Sequence, residues 1–211
     1  MRKEDFKPGL YSSHSIQMSF LKANLVGTLF PLPLVFVFSA LFLWLNHART
    51  GAGFSFTVDL NFLLWLFLFY VFMFLLIAMH ELTHAFAFLA GCENRWKSIH
   101  FGIKSLTPYC HCEEVIPISI FRRSLLAPLW FIALPLAAAA LITGSLYVFF
   151  LAVILLFGSG GDMAIFWSIR KYRDKQIRAW DIDDAVGCII YVPLDMSSIE
   201  LQNADNPRTD A

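Results

Sequence analysis

Four runs of apolar residues, each long enough to cross a bilayer as a helix, restrict what this chain can fold into. They are Leu25–Leu45, Leu60–Ala90, Leu125–Thr143 and Leu146–Ile169. A helix needs about 20 apolar residues, range about 17–25, to span the hydrocarbon. A soluble domain carries about 45–50% apolar and about 25% charged residues. Here the figures are 58% and 15%. The expectation is an all-α polytopic membrane protein with about four transmembrane helices, forming a single membrane domain over residues 1–211 with a tail from residue 170. The second run exceeds one crossing and should tilt or project beyond the hydrocarbon. The first begins only after some twenty polar residues and no small-residue cleavage site follows it, so it should persist in the mature chain rather than serve as a signal peptide.

Charge distribution orients these helices. Of the sixteen basic residues, fifteen lie before the first run, between the second and third, or after the fourth; Arg49 alone lies elsewhere. The positive-inside rule then puts both termini and the central loop in the cytoplasm of a cell membrane. Cys92, Cys110, Cys112 and Cys188 fall on that reducing side, so no disulfide is expected. Net charge is zero, which gives nucleic-acid binding no electrostatic support. The expected surroundings are the lipid bilayer and a membrane protein or peptide as substrate.

Within the central segment, Trp96–Ile103 and Val115–Phe121 are β-prone, with a turn at Thr107-Pro108. They suggest a small cytoplasmic β-hairpin or re-entrant pair between helices 2 and 3; an irregular loop fits the pattern equally. The amino-terminal stretch to Asn24 has room for a short amphipathic segment. The tail is polar apart from Val186–Pro193, and its last residues have the composition of a disordered end. The outer loop Asn46–Asp59 carries no chemical signal, and Asp181, Asp183 and Asp184 read as a solvated acidic patch. His14, His47 and His100 receive no role.

The second run ends in His80-Glu81-Leu82-Thr83-His84. Residues four apart on a helix share a face, so both imidazoles can reach one metal ion. Glu81 lies about 100° round the helix, where it can accept a proton from water at the open coordination position. Catalytic zinc sites commonly add a third protein ligand. Across the four runs, the Asp, Glu, His, Lys and Arg residues are His80, Glu81, His84 and Asp162. Charges at the centre of a membrane helix cost about 2.5–3.5 kcal/mol each on insertion scales, and a shared Zn2+ would offset that. Counted along their helices at about 1.5 Å per residue, His84 and Asp162 lie at matching depths, on the order of 10–12 Å from the cytoplasmic ends. Asp162 follows Gly158-Ser159-Gly160-Gly161, which permits close helix approach or local unwinding. The metal ligands expected are therefore His80, His84 and Asp162, with Glu81 as the catalytic carboxylate.

This arrangement resembles site-2 protease-type intramembrane metalloproteases. A closer likeness is to a group of short bacterial membrane proteins classed as zincin peptidases. The likeness rests on the His80–His84 motif, on Pro108-Tyr109-Cys110-His111-Cys112-Glu113 and on Gly161-Asp162, and runs from the second helix to about residue 193. It implies zinc on His80, His84 and Asp162 and hydrolysis of membrane-associated peptides with Glu81 as general base. One departure is the Asp motif: Gly-Gly-Asp stands without a preceding Asn-Pro stretch, and Met163 replaces the Gly that follows the aspartate in longer site-2 proteases. The departure bears on substrate positioning more than on the ligands. Cys110-His111-Cys112 lacks a usual structural zinc spacing, and a structural or substrate-contacting role is favoured over a second metal or a redox clamp. The alternative to a protease is a catalytically inactive zinc-binding membrane adaptor. A metal transporter would need ligands across the bilayer, and the outer halves of the helices have none.

Overall fold

The structure, a computed structural model, describes residues 10–51, 60–104, 107–182 and 186–194. Asp183, Asp184, most of the outer loop and the end of the tail lie outside these residues. Four helices are long and apolar enough to cross a membrane: Lys22–Thr50, Asn61–Phe88, Ile118–Thr143 and Leu146–Ser168. They coincide with the four apolar runs within a few residues, except that the first and third begin several residues earlier.

Three of the four are interrupted, each where the sequence removes a backbone donor or a side chain. The first divides at Phe30-Pro31 into α1 (Phe20–Leu29) and α2 (Leu32–Thr50). Its start is capped by the Ser19 hydroxyl, which accepts from the amide of Lys22. The second is one unbroken helix, α3 (Leu60–Phe88). Its 29 residues make it about 43 Å long at 1.5 Å per residue. The third consists of α4 (Ile118–Pro128), a π-helical turn at Leu129–Ala133 and α5 (Leu134–Thr143). Pro128 and Pro135 flank that turn, and neither can donate the bond that would continue a regular helix. The fourth consists of α6 (Leu146–Gly158) and α7 (Gly160–Ser168), which meet at Ser159. Between α5 and α6 the chain reverses at Gly144, whose φ of 68° is left-handed. This is the tight antiparallel hairpin that so short a connection demands. Arg49, the lone basic residue of that end, donates to the Leu141 carbonyl in the last turn of α5 (2.6 Å).

At the opposite end the chain is not all-α. A four-stranded antiparallel sheet has the order β1 (Tyr11–Met18), β6 (Val186–Pro193), β5 (Arg178–Asp181) and β4 (Ile116–Pro117). A separate hairpin pairs β2 (Ile99–Lys104) with β3 (Thr107–Cys112). The central hairpin exists, but its second strand is Thr107–Cys112. Val115–Phe121 instead supplies the short β4 and the first turn of α4. Pro117 explains the switch: fixed φ and no amide hydrogen suit it to the start of a helix and to a brief edge pairing, not to a longer strand. The amino-terminal segment with room for an amphipathic stretch forms a strand whose exposure largely alternates. It pairs along its whole length with the apolar tail segment, Tyr11 opposite Pro193 and Met18 opposite Val186.

Two apolar cores follow from this division. One lies between the long helices, where Val35, Phe38 and Phe42 of α2 meet Ala133, Ala137, Ala152 and Leu155. The alanines let these helices approach closely. The other joins the helix ends to the strands: Phe88, Cys112, Ile116, Phe121, Ile169, Ile177 and Ile190 are all buried together. Large side chains along the outer part of α3, including Trp65, Phe67, Phe72 and Phe74, remain exposed. In water such a surface would favour aggregation; in lipid it costs nothing.

The glycines before Asp162 serve contact between the first and fourth helices, not between the fourth and the histidine-bearing α3. A Cβ on Gly160 would stand 1.8 Å from the Gly27 carbonyl oxygen and 2.9 Å from Pro31. Gly158 has open space where its Cβ would be. Gly160→Ala is therefore expected to push α1 off α7 and to destabilise the protein by about 1–3 kcal/mol. Gly158→Ala should be neutral or slightly stabilising. Thermal unfolding in detergent separates the two, and equal melting temperatures would remove the close packing assigned to Gly160.

Candidate metal centre

His80 and His84 sit one turn apart near the end of α3, and Asp162 lies in the first turn of α7. Both histidines are buried, and Asp162 is partly so. Asp162 Oδ2 is 3.3 Å from His80 Nε2 and 3.4 Å from His84 Nε2. One ligand atom from each of the three residues lies within 4.8 Å of the others. A tetrahedral zinc with bonds of about 2.1 Å separates its ligand atoms by about 3.4 Å. The donor set is also the one catalytic zinc takes, two imidazoles and a carboxylate with room for a fourth partner. The residues fit the ion.

Second contacts support that fit. His84 Nδ1 lies 2.8 Å from the Ser124 carbonyl oxygen. Donation there fixes the tautomer and leaves Nε2 with its lone pair toward Asp162 and the prospective metal. Ser124 can accept because of Pro128. In a regular helix the carbonyl of residue 124 bonds the amide of residue 128, and a proline has none. The break in the third helix thus supplies the acceptor that orients a ligand on the second.

Glu81 lines the same cavity, of about 670 Å³, together with the three ligand residues. Its carboxylate accepts a hydrogen bond from the backbone amide of Cys110 in β3. Asp181, at the end of β5, also lines the cavity. It is not solvated: Oδ2 is 3.2 Å from His111 Nδ1 and accepts from the Cys112 amide at 3.4 Å. Along one side of β3, alternate amides are therefore held by carboxylates, Cys110 by Glu81 and Cys112 by Asp181. His111 is buried against the cavity and its imidazole reaches Asp181.

The cysteines of this strand do not assemble a second metal group among the described residues. Burial and the charges of Glu81 and Asp181 push the Cys110 thiol well above its usual range. The Cys112 thiol is raised by its hydrogen bond with Cys92 and by burial. Burial beside Asp181 takes Cys188 up to about 12. These three stay protonated and behave as small apolar groups. Cys92 and Cys112 touch, Sγ to Sγ 2.9 Å, and tie the end of α3 to β3.

Glu114, which no motif marks, holds the hairpin against the end of α3. Its buried carboxylate accepts from the amides of Glu93 and Asn94, the Asn94 side chain and the Ser98 hydroxyl. Burial alone would raise this carboxyl, but hydrogen bonds, those from Ser98, Asn94 and Glu93 among them, outweigh it and hold it at about 2, below the ordinary 4.5. A depressed pKa stabilises the fold fully above about pH 4.5, and that stability drains away as pH falls toward 2. Glu114→Ala should cost about 1–3 kcal/mol at neutral pH by leaving buried donors unpaired. The variant should also lose the part of the melting-temperature decline that wild type shows between pH 4.5 and 2. Parallel curves for the two proteins would contradict this role.

Residues 73–177 match a protein-family model described as "Putative zincin peptidase". That stretch begins inside α3, contains the His-Glu-x-x-His sequence, the hairpin and Asp162, and ends before β5. It points to a zinc metallopeptidase. No curated protein and no solved structure matches the chain.

Proposed function

We propose that this protein is an intramembrane zinc metalloprotease that cuts peptide bonds of membrane-associated substrates. The observation that carries the reading is the convergence of His80, His84 and Asp162 on one point in a cavity that Glu81 also lines. His80, His84 and Asp162 would hold the zinc. Bound there, zinc supplies Lewis acidity, which activates water at neutral pH and polarises a carbonyl.

The chain's own residues account for the rest. Glu81 receives the proton from the attacking water and returns it to the departing amine, so that the peptide is cut with no net proton change. Its hydrogen bond from Cys110 keeps the carboxylate at the cavity wall in the resting state. A substrate helix has its carbonyls tied in internal bonds and must unwind before attack. The side of β3 facing the cavity offers it an extended template. A strand laid there would take over the Cys110 amide, release Glu81 and so couple substrate arrival to a free base. The four long apolar helices and the exposed apolar face of α3 support a setting for the cavity within a membrane, and the distribution of basic residues supports its cytoplasmic side.

The test is cleavage of a labelled helical peptide by purified protein reconstituted in liposomes. Cleavage should require one zinc per chain, stop with a chelator and return with zinc. A zinc-loaded protein that cleaves none of a panel of unrelated membrane peptides would instead be the inactive adaptor.

A further inference from the structure

Beyond the metal cavity, the sheet end of the bundle carries basic side chains with no acidic partner among the described residues. Arg122 projects from the second turn of α4 and lies over the Phe166 ring of α7, its guanidinium carbon 5.1 Å from the ring centre. It is half-buried, and its Nε is shut off from solvent with no hydrogen-bond partner. Arg170 lies one turn beyond Phe166. It packs on the neighbouring Trp167 ring at 4.0 Å and donates to the Trp167 carbonyl. Arg173 donates its Nε to the Arg170 carbonyl and is near enough to Arg122 for their charges to repel.

No ion pair joins Arg122, Arg170 or Arg173 to any acidic side chain of the described residues. Among the described residues, Glu114 is engaged with the Glu93–Ser98 turn, Asp181 with His111, Glu113 with His100 and Asp174 with the Gln176 amide. A half-buried guanidinium beside a second cation is costly unless an anion is supplied from outside. The surroundings identify the anion. The cluster stands where two apolar helices end, and Trp167 carries the amphipathic ring found at headgroup depth. Phe30 packs against Trp167, ring centres 6.2 Å apart, and the exposed Leu29 beside it continues the apolar surface on which an acyl chain could lie. A phosphate on lipid meets both needs. Free phosphate meets only the first.

We propose that Arg122, Arg170 and Arg173 form a binding site for the phosphate of an anionic phospholipid at the boundary between the third and fourth membrane helices. Guanidinium forks take phosphate oxygens through paired N–H groups, and the Nη groups of Arg122, unlike its enclosed Nε, stay open and make no hydrogen bond among the described residues. The site depends on the chain lying in a membrane and is independent of the hydrolase reading.

Full-length protein placed in nanodiscs of equal phosphatidylglycerol and phosphatidylcholine, then released into neutral detergent for native mass spectrometry, tests it. Wild type should retain phosphatidylglycerol in preference to phosphatidylcholine. Arg122→Gln and Arg173→Gln should each cut that retention about fivefold, the scale of one interfacial basic residue. Arg122→Lys, which keeps the charge and loses the fork, should fall nearly as far. Lys97→Gln, a charge change away from the cluster, should not. The melting temperature of each variant checks that it is folded. Absence of phosphatidylglycerol preference in wild type would overturn the site, as would loss in Lys97→Gln equal to that in Arg122→Gln. Displacement of the bound lipid by inorganic phosphate at tens of millimolar would make free phosphate the occupant and overturn the lipid assignment.

Discussion

Glu81→Gln is expected to keep one zinc per chain and to lower the cleavage rate about 10²–10⁴-fold, the range that general acid–base catalysis supplies. The substitution preserves shape and can still accept from the Cys110 amide, so β3 should stay in place. What it removes is the ability to take a proton from water. The expected pattern is a fall in kcat with KM little changed, because the carboxylate is used in the transition state and not in binding the substrate. A variant retaining full activity would exclude Glu81 as the base. A variant lacking zinc would reassign it to metal binding.

Asp162→Ala is expected to abolish stoichiometric zinc, with affinity falling by more than the 10–100-fold typical of losing an outer-shell partner. Asp162 is the contribution of α7 to the trio, and its Oδ2 lies within 3.4 Å of both His Nε2 atoms. Without it, two imidazoles of one helix remain. Asp162→Glu tests geometry: it keeps the charge but adds a methylene, which moves the carboxylate from the point where Oδ2 lies within 3.4 Å of both His Nε2 atoms, so zinc should bind more weakly than in wild type. Metal quantification after gel filtration reads both. Full zinc in Asp162→Ala would remove the aspartate from the ligand set and leave the third position to be found elsewhere.

Several parts of this arrangement were legible in the sequence and others were not, for physical reasons. Apolar runs report long helices because the requirement is continuous and local, and their extents agree within a few residues apart from the earlier starts of the first and third. The His80–His84 spacing reports a shared face for the same reason, and three costly polar residues in apolar surroundings pointed to Asp162. Strand pairing across the chain is different. β1 and β6 lie some 170 residues apart, and β1 is polar enough to pass for a surface segment; its alternating exposure acquires meaning only with β6 beside it. Ser124 acts through its backbone carbonyl, which no residue type announces. Pro128 four residues later was the available signal. Asp181 looked like one of three solvated acids because its partners, His111 and the Cys112 amide, are some 70 residues away. Glu114 stood next to a conspicuous Cys-His-Cys-Glu segment, yet its burial depends on a turn that no motif describes.

The prospective metal ligands come from α3 and α7, 78 residues apart at their nearest members. A ribosome making this chain finishes the His-Glu-x-x-His helix long before the aspartate exists. The growing chain therefore carries Glu81 and two imidazoles without a complete centre until the last of the four long helices is made and seated. On the proposed reading, chains terminated before Asp162 would be inert, and hydrolysis would be confined to the fully assembled molecule.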